Sequence, residues 1–252
     1  MDSIATQAAL HHSIWLGEFL GTFVLLLLGG GVNASTNLKK TYGAGAGWMA
    51  IVTGWGLAVL CGVLVAQAFG SSGAHLNPAI SLCNALVAGD FSQLAIYWSA
   101  QLLGAMTGAV AVWLFFYPHW AITPDPATKL GIFCTGPAIP HLPSNLFCEA
   151  TGTFVLILVA NAIGSKGVSA SGPAPALGPW LVGCLVWGIG LSLGSTTGYA
   201  INPARDLGPR LMHSLLPIPG KGGSNWSYAW VPLAGDFAGA ALAALLLRWT
   251  HI

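Results

Sequence analysis

The tripeptide Asn-Pro-Ala occurs twice, as Asn77-Pro78-Ala79 and as Asn202-Pro203-Ala204. Asn is a favoured helix N-cap and Pro is at home at the first helical position, so each copy marks a helix start. The lead-ins, Gly73-Ala74-His75-Leu76 and Gly198-Tyr199-Ala200-Ile201, contain Gly and are mostly apolar. The segments that follow, Asn77–Ala88 and Asn202–Leu215, have roughly half the length that a bilayer crossing needs at ~1.5 Å per residue. One such start is no motif. Two of them, half a chain apart in a membrane protein, restrict the fold sharply.

Lipid is the solvent that this composition demands. Of the 252 residues, 55% are hydrophobic and 6% charged, against ~25% charged in a soluble domain. A span needs ~20 mostly apolar residues. Six segments qualify: Ile14–Val32, Trp48–Ala68, Leu94–Tyr117, Leu146–Ile163, Leu177–Leu193 and Tyr228–Leu247. A Pro-rich loop, Pro118–Ser144, joins the third to the fourth and lacks a domain's composition, so residues 1–252 read as one domain. The N-terminus through Ser13 lacks the Lys and Arg of a signal-peptide n-region, which predicts no cleavage.

The chain repeats itself. Glu18-Phe19-Leu20-Gly21-Thr22-Phe23-Val24-Leu25 returns as Glu149-Ala150-Thr151-Gly152-Thr153-Phe154-Val155-Leu156. Trp55-Gly56 returns as Trp187-Gly188, the Asn-Pro-Ala copies follow, and Gly104-Ala105 matches Gly239-Ala240. The landmarks keep their order across repeat one (about 14–117) and repeat two (about 146–249). Each repeat holds three spans, so the second enters the membrane from the opposite side, as an inverted repeat. The predicted fold is therefore an all-α integral membrane protein with six transmembrane helices and two re-entrant half-helices. The half-helices dip in from opposite faces and their N-termini meet near the midplane. Non-helical backbone at that depth belongs against protein or a water-filled cavity. Carbonyls of Gly73, Ala74, His75, Gly198, Tyr199 and Ala200 would accept hydrogen bonds there, the two Asn side chains would donate, and the positive helix ends would repel cations.

Arg205 follows Asn202 by three residues on the first turn of the second half-helix. Arg is expensive in a membrane and faces a pore or a partner, or else snorkels. Asp206 suits the dipole of that helix start. Glu18 and Glu149, as repeat partners, read as buried structural supports that accept half-helix amides. His75 suits either a pore wall or a packed site. Asp236 in span six has no acidic repeat partner, because Gln101 stands opposite. No enzyme is expected: there is no nucleophile–base–orienter set and no phosphate-binding loop. No metal or other cofactor is expected either, since the seven His lack metal spacing apart from adjacent His11-His12. The net charge of +1 and the lack of a basic cluster argue against nucleic acid. Five scattered Cys without a CxxC read as small packed residues. Trp15, Trp48, Trp226, Trp230 and Trp249 suit interfacial anchoring in lipid.

The paired Asn-Pro-Ala motifs, the Glu-x-x-Gly-Thr repeat and Ser72-Gly73-Ala74-His75-Leu76-Asn77-Pro78-Ala79 together resemble the major intrinsic protein family, the aquaporins and glycerol facilitators, from about Ile14 to Leu247. That resemblance implies a homotetramer with a pore in each protomer, set in the plasma membrane with cytoplasmic termini. It implies passive passage of water or small neutral solutes and exclusion of ions and protons. Ala204-Arg205-Asp206-Leu207-Gly208-Pro209-Arg210 and Val231-Pro232-Leu233 resemble the glycerol-conducting branch. By the same resemblance the selectivity filter maps to Trp55, Gly190, Tyr199 and Arg205. Gly190 opens space that a His fills in water channels.

Trp55 precedes Asn77 by about two residues more than in familiar members of the family, so Leu57 is the alternative occupant of that corner. Tyr199 replaces the more usual Phe, and Asp236 stands where the family often has Pro. Cytoplasmic termini leave Lys39, Lys40, Lys129, Arg210 and Lys221 outside, against the positive-inside tendency. The leading expectation is a channel for glycerol with water co-permeating. The alternatives are a channel for a protonated small acid such as lactic acid and a water-selective channel. From other classes come an alternating-access transporter, which saturable ion-coupled uptake would mark, and a non-conducting adhesion protein, for which the loops are short.

Overall fold

The computed structural model describes residues 12–174 and 176–251, so His11 lies outside the described residues. All regular structure among them is helical. Helices α1 (Ile14–Asn37), α2 (Gly47–Ala68) and α4 (Leu94–Phe115) form the first repeat around the half-helix α3 (Pro78–Ala88). Two short helices follow, α5 (Tyr117–Ile122) and α6 (Pro126–Phe133). Helices α7 (Leu142–Gly164), α8 (Leu177–Ser192) and α10 (Trp226–Thr250) form the second repeat around the half-helix α9 (Pro203–Leu215).

Five of these, α1, α2, α4, α7 and α10, are long and apolar enough to cross a membrane. The fifth expected span corresponds to α8, which has only 16 residues. At 1.5 Å per residue it reaches about 24 Å, short of the roughly 30 Å of a bilayer core. The chain turns out of it at Leu193 to begin the second lead-in. The first span runs past its expected end at Val32 because Asn33 and Thr36 find partners inside the protein: Thr36 Oγ1 donates to Val32 O at 2.7 Å and Asn33 Nδ2 to Gly131 O at 3.3 Å.

The expected Pro118–Ser144 loop contains helix as well. Asp125 caps α6 by accepting from the amides of Ala127 and Thr128. Hydrogen bonds from the Thr128 hydroxyl and from these amides hold its carboxyl below the usual carboxylate range. Trp120 is fully buried and donates through Nε1 to Trp113 O at 2.9 Å.

Small residues let the spans touch. A Cβ on Gly104 would strike Phe19 O of α1, and one on Gly239 would strike Ala150 O of α7. Gly56 and Gly183 meet between α2 and α8, where an added Cβ on either would lie 2.9 Å from the other's carbonyl oxygen. Close backbone approach through small residues is how helices pack when lipid offers no hydrophobic drive. Each half-helix packs on the third span of both repeats, α3 on α4 and α10, and α9 on α10 and α4. The repeats are thereby interlocked at the centre.

Candidate functional site

The two half-helices begin alike. Asn77 Oδ1 accepts from Ala79 N at 2.9 Å, and Asn202 Oδ1 accepts from Ala204 N at 3.0 Å and Arg205 N at 3.2 Å. The amides of the caps then cross over. Asn77 Nδ2 donates to Ile201 O at 2.7 Å, and Asn202 Nδ2 to Leu76 O at 2.8 Å. Each amide carries two N–H groups, so one per Asn remains for a molecule beside it.

The lead-ins are strained in the same pattern. Ala74 and Leu76 have φ of 41° and 51°, and Tyr199 and Ile201 have 36° and 42°. Left-handed backbone costs about 1–2 kcal/mol per non-Gly residue. The carboxylates behind the loops offset this. Glu18 Oε1 accepts from His75 N at 2.8 Å and Oε2 from Leu76 N at 2.7 Å. Glu149 accepts from Ala200 N at 3.2 Å and Ile201 N at 3.1 Å. Hydrogen bonds to a charged group are worth about 1.5–3 kcal/mol each.

Three cavities run in series along these loops. The one on the Arg205 side, about 160 Å³, is lined by Trp48, Trp55, Gly198, Tyr199 and Arg205 among others. The middle one, about 70 Å³, shares Trp55, Tyr199 and Arg205 with it and adds both Asn caps, Ala74, Leu76 and Ala200. The third, about 360 Å³, shares Ala74 and His75 with the middle one and includes Gly73.

Trp55, Tyr199 and Arg205 form the join between the first two cavities. The Arg205 guanidinium carbon lies 4.0 Å over the Trp55 ring, and its Nη1 donates to Phe133 O at 3.3 Å. Trp55 Nε1 donates to Asn33 Oδ1 at 3.1 Å. Tyr199 lies against α8: a Cβ on Gly190 would sit 2.8 Å from the phenol Cζ and Oη. The room that Gly190 leaves is therefore taken by Tyr199. Leu57 is 47% exposed and faces Trp180 and Trp187 between α2 and α8, away from Arg205. Trp48, expected at the lipid interface, lines the vestibule instead, donating through Nε1 to Gly190 O at 3.2 Å and meeting Tyr199 edge-on.

His75 stacks on Tyr97 with centroids 4.2 Å apart and reaches Ser81 and Asn84 through its two ring nitrogens at 3.0 and 2.8 Å. It is both packed and cavity-lining. Asp206 does more than face a helix dipole. It is buried, accepts from Thr135 N at 2.8 Å and Thr135 Oγ1 at 2.6 Å, and pairs with Arg210 at 2.8 Å. The i,i+4 spacing of Asp206 and Arg210 was a readable signal for this pair. Asn33, Phe133 and Thr135 carried none, since their partners lie far off in the chain. Among the described residues no three His, Cys, Asp or Glu side chains come together as metal ligands would.

The family model described as major intrinsic protein matches residues 6–247. The chain is 52% identical over 235 residues to a glycerol uptake facilitator protein 3 of Lactiplantibacillus plantarum, covering 92% of this chain and 95% of that one. It is 50% identical over 232 residues to a glycerol uptake facilitator protein of Bacillus subtilis, covering 91% and 81%. Its fold matches the crystal structure of the aquaglyceroporin from Plasmodium falciparum with a TM-score of 0.82 at 30% identity, covering 93% of this chain and 94% of that one. With a match across nearly its whole length, this multi-pass membrane protein belongs to the major intrinsic protein family.

Proposed function

We propose that this chain is a passive channel for glycerol and similar small neutral polyols, with water co-permeating. It is not an enzyme. The observation that carries the reading is the join between the Arg205-side cavity and the middle one, where Trp55 and Tyr199 present aromatic surface and Arg205 presents N–H donors. A polyol is amphipathic in the same way: its carbon chain suits the aromatic corner and its hydroxyls suit the guanidinium. Trp55, Gly190, Tyr199 and Arg205 act as the selectivity filter. Carbonyls of Gly198, Tyr199 and Ala200, then of Gly73, Ala74 and His75, relay the hydroxyls past the two Asn caps.

Arg205 and the two positive helix ends that meet at Asn77 and Asn202 oppose cations and migrating protons. Glu18 and Glu149 hold the lead-ins in place and take no part in transfer. The 1–252 chain acts as one channel domain. It works as a homotetramer with a pore in each protomer, in the plasma membrane, with both termini in the cytoplasm.

Neither alternative, a channel for protonated lactic acid or one for water alone, is favoured. The relatives at about half identity carry glycerol in their names. The test is stopped-flow reswelling of proteoliposomes under an inward glycerol gradient, beside lactic acid at acid and neutral pH. Fast, non-saturating glycerol entry is expected. Gly190→His should slow it by about tenfold or more, an added barrier of about 1.4 kcal/mol, whereas Tyr199→Phe should leave it fast. Glycerol entry no faster than in empty liposomes, with rapid acid-dependent lactic acid entry, overturns the reading.

A further inference from the structure

Gln101 of α4 donates through Nε2 to Glu18 Oε2 at 2.8 Å. The repeat alignment that pairs Gly104 with Gly239 places Asp236 of α10 where Gln101 stands. Glu149 therefore meets a second carboxyl where Glu18 meets an amide.

Asp236 is fully buried. Its Oδ1 accepts from Thr153 Oγ1 at 3.0 Å, one helical turn beyond Glu149, and a Cβ on the neighbouring Gly235 would lie 2.7 Å from Glu149 Cβ, so the two carboxyls share one buried site. A hydrogen bond between two carboxyls needs a proton on one of them, and two bare carboxylates side by side in a buried site cannot both stay ionised. Both Glu149 oxygens are already acceptors, Oε1 for Ala200 N and Oε2 for Ile201 N. Asp236 Oδ2 is the oxygen with no partner among the described residues. A buried polar atom of that kind calls for an explanation.

We infer that Asp236 carries a proton on Oδ2 and donates it to Glu149, doing for the second half-helix what the Gln101 amide does for the first. Asp236 is thus a positioning residue. It acts through Glu149 on the Ala200 and Ile201 amides, which flank the cap Asn202 and the ring of Tyr199.

The other titratable groups around it do not replace that proton. From α9 come Arg205, Asp206 and Arg210, and Arg210 is already paired to Asp206. From α3 comes the buried Cys83, and α10 itself adds Tyr228. Removing the proton at high pH leaves two negative charges facing each other behind the second lead-in. The inference stands on this carboxyl pair, whatever solute passes.

The test is infrared spectroscopy of the full chain in proteoliposomes at neutral pH, with aspartate or glutamate labelled at its side-chain carboxyl carbon by carbon-13. A protonated-carboxyl C=O band is expected that shifts with the aspartate label, stays put with the glutamate label and disappears in Asp236→Asn. Absence of the band, a shift with the glutamate label, or persistence of the band in Asp236→Asn overturns the inference. The labelling arm uses the unaltered protein and decides the matter even where the variant fails to fold. A second reading follows the melting temperature as pH rises. Wild type should lose stability at alkaline pH and Asp236→Asn, which keeps a donor without the charge, should not. Parallel alkaline losses in both overturn it.

Discussion

Glu18 and Glu149 hold equivalent pairs of backbone amides, yet their surroundings differ. Glu18 is ringed by neutral donors, with Ser71 Oγ at 2.6 Å and Gln101 Nε2 at 2.8 Å completing its shell. The second half relies on charges and carboxyls. Asp236 stands for Gln101. Asp206, which occupies the place of Ser81 four residues after the capping Asn, carries a buried ion pair with Arg210. Ser81 at that place joins only neutral groups, His75 and Gln101. One inverted architecture therefore tolerates two chemistries, provided every strained amide in the lead-ins finds an acceptor.

The largest effect should come from removing that acceptor. Glu18→Ala leaves the amides of His75 and Leu76 buried without a partner, and Ser71 and Gln101 without an acceptor on that side. Each unsatisfied buried group costs about 1–3 kcal/mol, so the folded yield in detergent, read by size-exclusion chromatography, should collapse. Glu149→Ala strands the amides of Ala200 and Ile201, but it also frees Asp236 to shed its proton and serve as a nearby carboxylate acceptor, so it should fold in larger amount. Equal yields of the two variants would remove the asymmetry.

Next comes the ion pair. Arg210 also donates to Thr135 O at 2.9 Å, Ser224 O at 2.9 Å and Asn225 O at 3.0 Å, tying α9 to the segments on either side. Arg210→Met leaves Asp206 buried and uncompensated. Breaking a buried pair from one side costs about 3–5 kcal/mol. Ser81→Ala, the matching change in the first half, breaks neutral bonds only and should cost about 1 kcal/mol. Thermal unfolding of both variants, followed by loss of monodispersity on heating, measures the gap. Comparable shifts would mean that the charges add nothing beyond their hydrogen bonds.

The legible parts of this molecule are the ones that local spacing carries. Asn-Pro-Ala announces a capped helix start through residues that touch within a few positions, and Glu18 and Glu149 stood out because a repeat placed a carboxylate twice inside an apolar span. From sequence, the filter corner stays open between Trp55 and Leu57. Its geometry depends on Asn33 and on Arg205, which approach only when α1, α2 and α9 pack. Trp48 read as a lipid anchor because an aromatic near a span end looks the same from sequence whether it faces lipid or a vestibule. The short helices α5 and α6 were missed because their stability is tertiary: Trp120 and Phe133 are buried against the body of the protein, in segments too Pro-rich to read as helix. The bounds of α8 were legible to within one residue, Leu177–Leu193 expected against Leu177–Ser192 observed, because its apolar run ends where the chain turns into the lead-in.

The smallest effects should appear where the half-helices end, and there the two halves again differ. In the second, Lys221 Nζ donates to the carbonyls of His213, Ser214 and Leu216, each at 2.7 Å, at the C-terminus of α9. A cation there meets both the unpaired carbonyls and the negative end of the helix dipole. In the first, α3 simply stops at Gly89, whose φ of 71° is left-handed and whose amide bonds Ala85 O. Gly89→Ala meets no atom within 4 Å, so its whole penalty is the backbone conformation, about 1 kcal/mol. Lys221→Met loses a charged cap that is only half-buried, also about 1 kcal/mol. Salt separates the two. Screening weakens the contribution of Lys221 and leaves a glycine backbone preference untouched. The melting deficit of Lys221→Met should therefore shrink between low and high ionic strength, while that of Gly89→Ala stays constant. A salt-independent Lys221→Met deficit would assign its role to hydrogen bonds alone and make the two helix ends equivalent in kind.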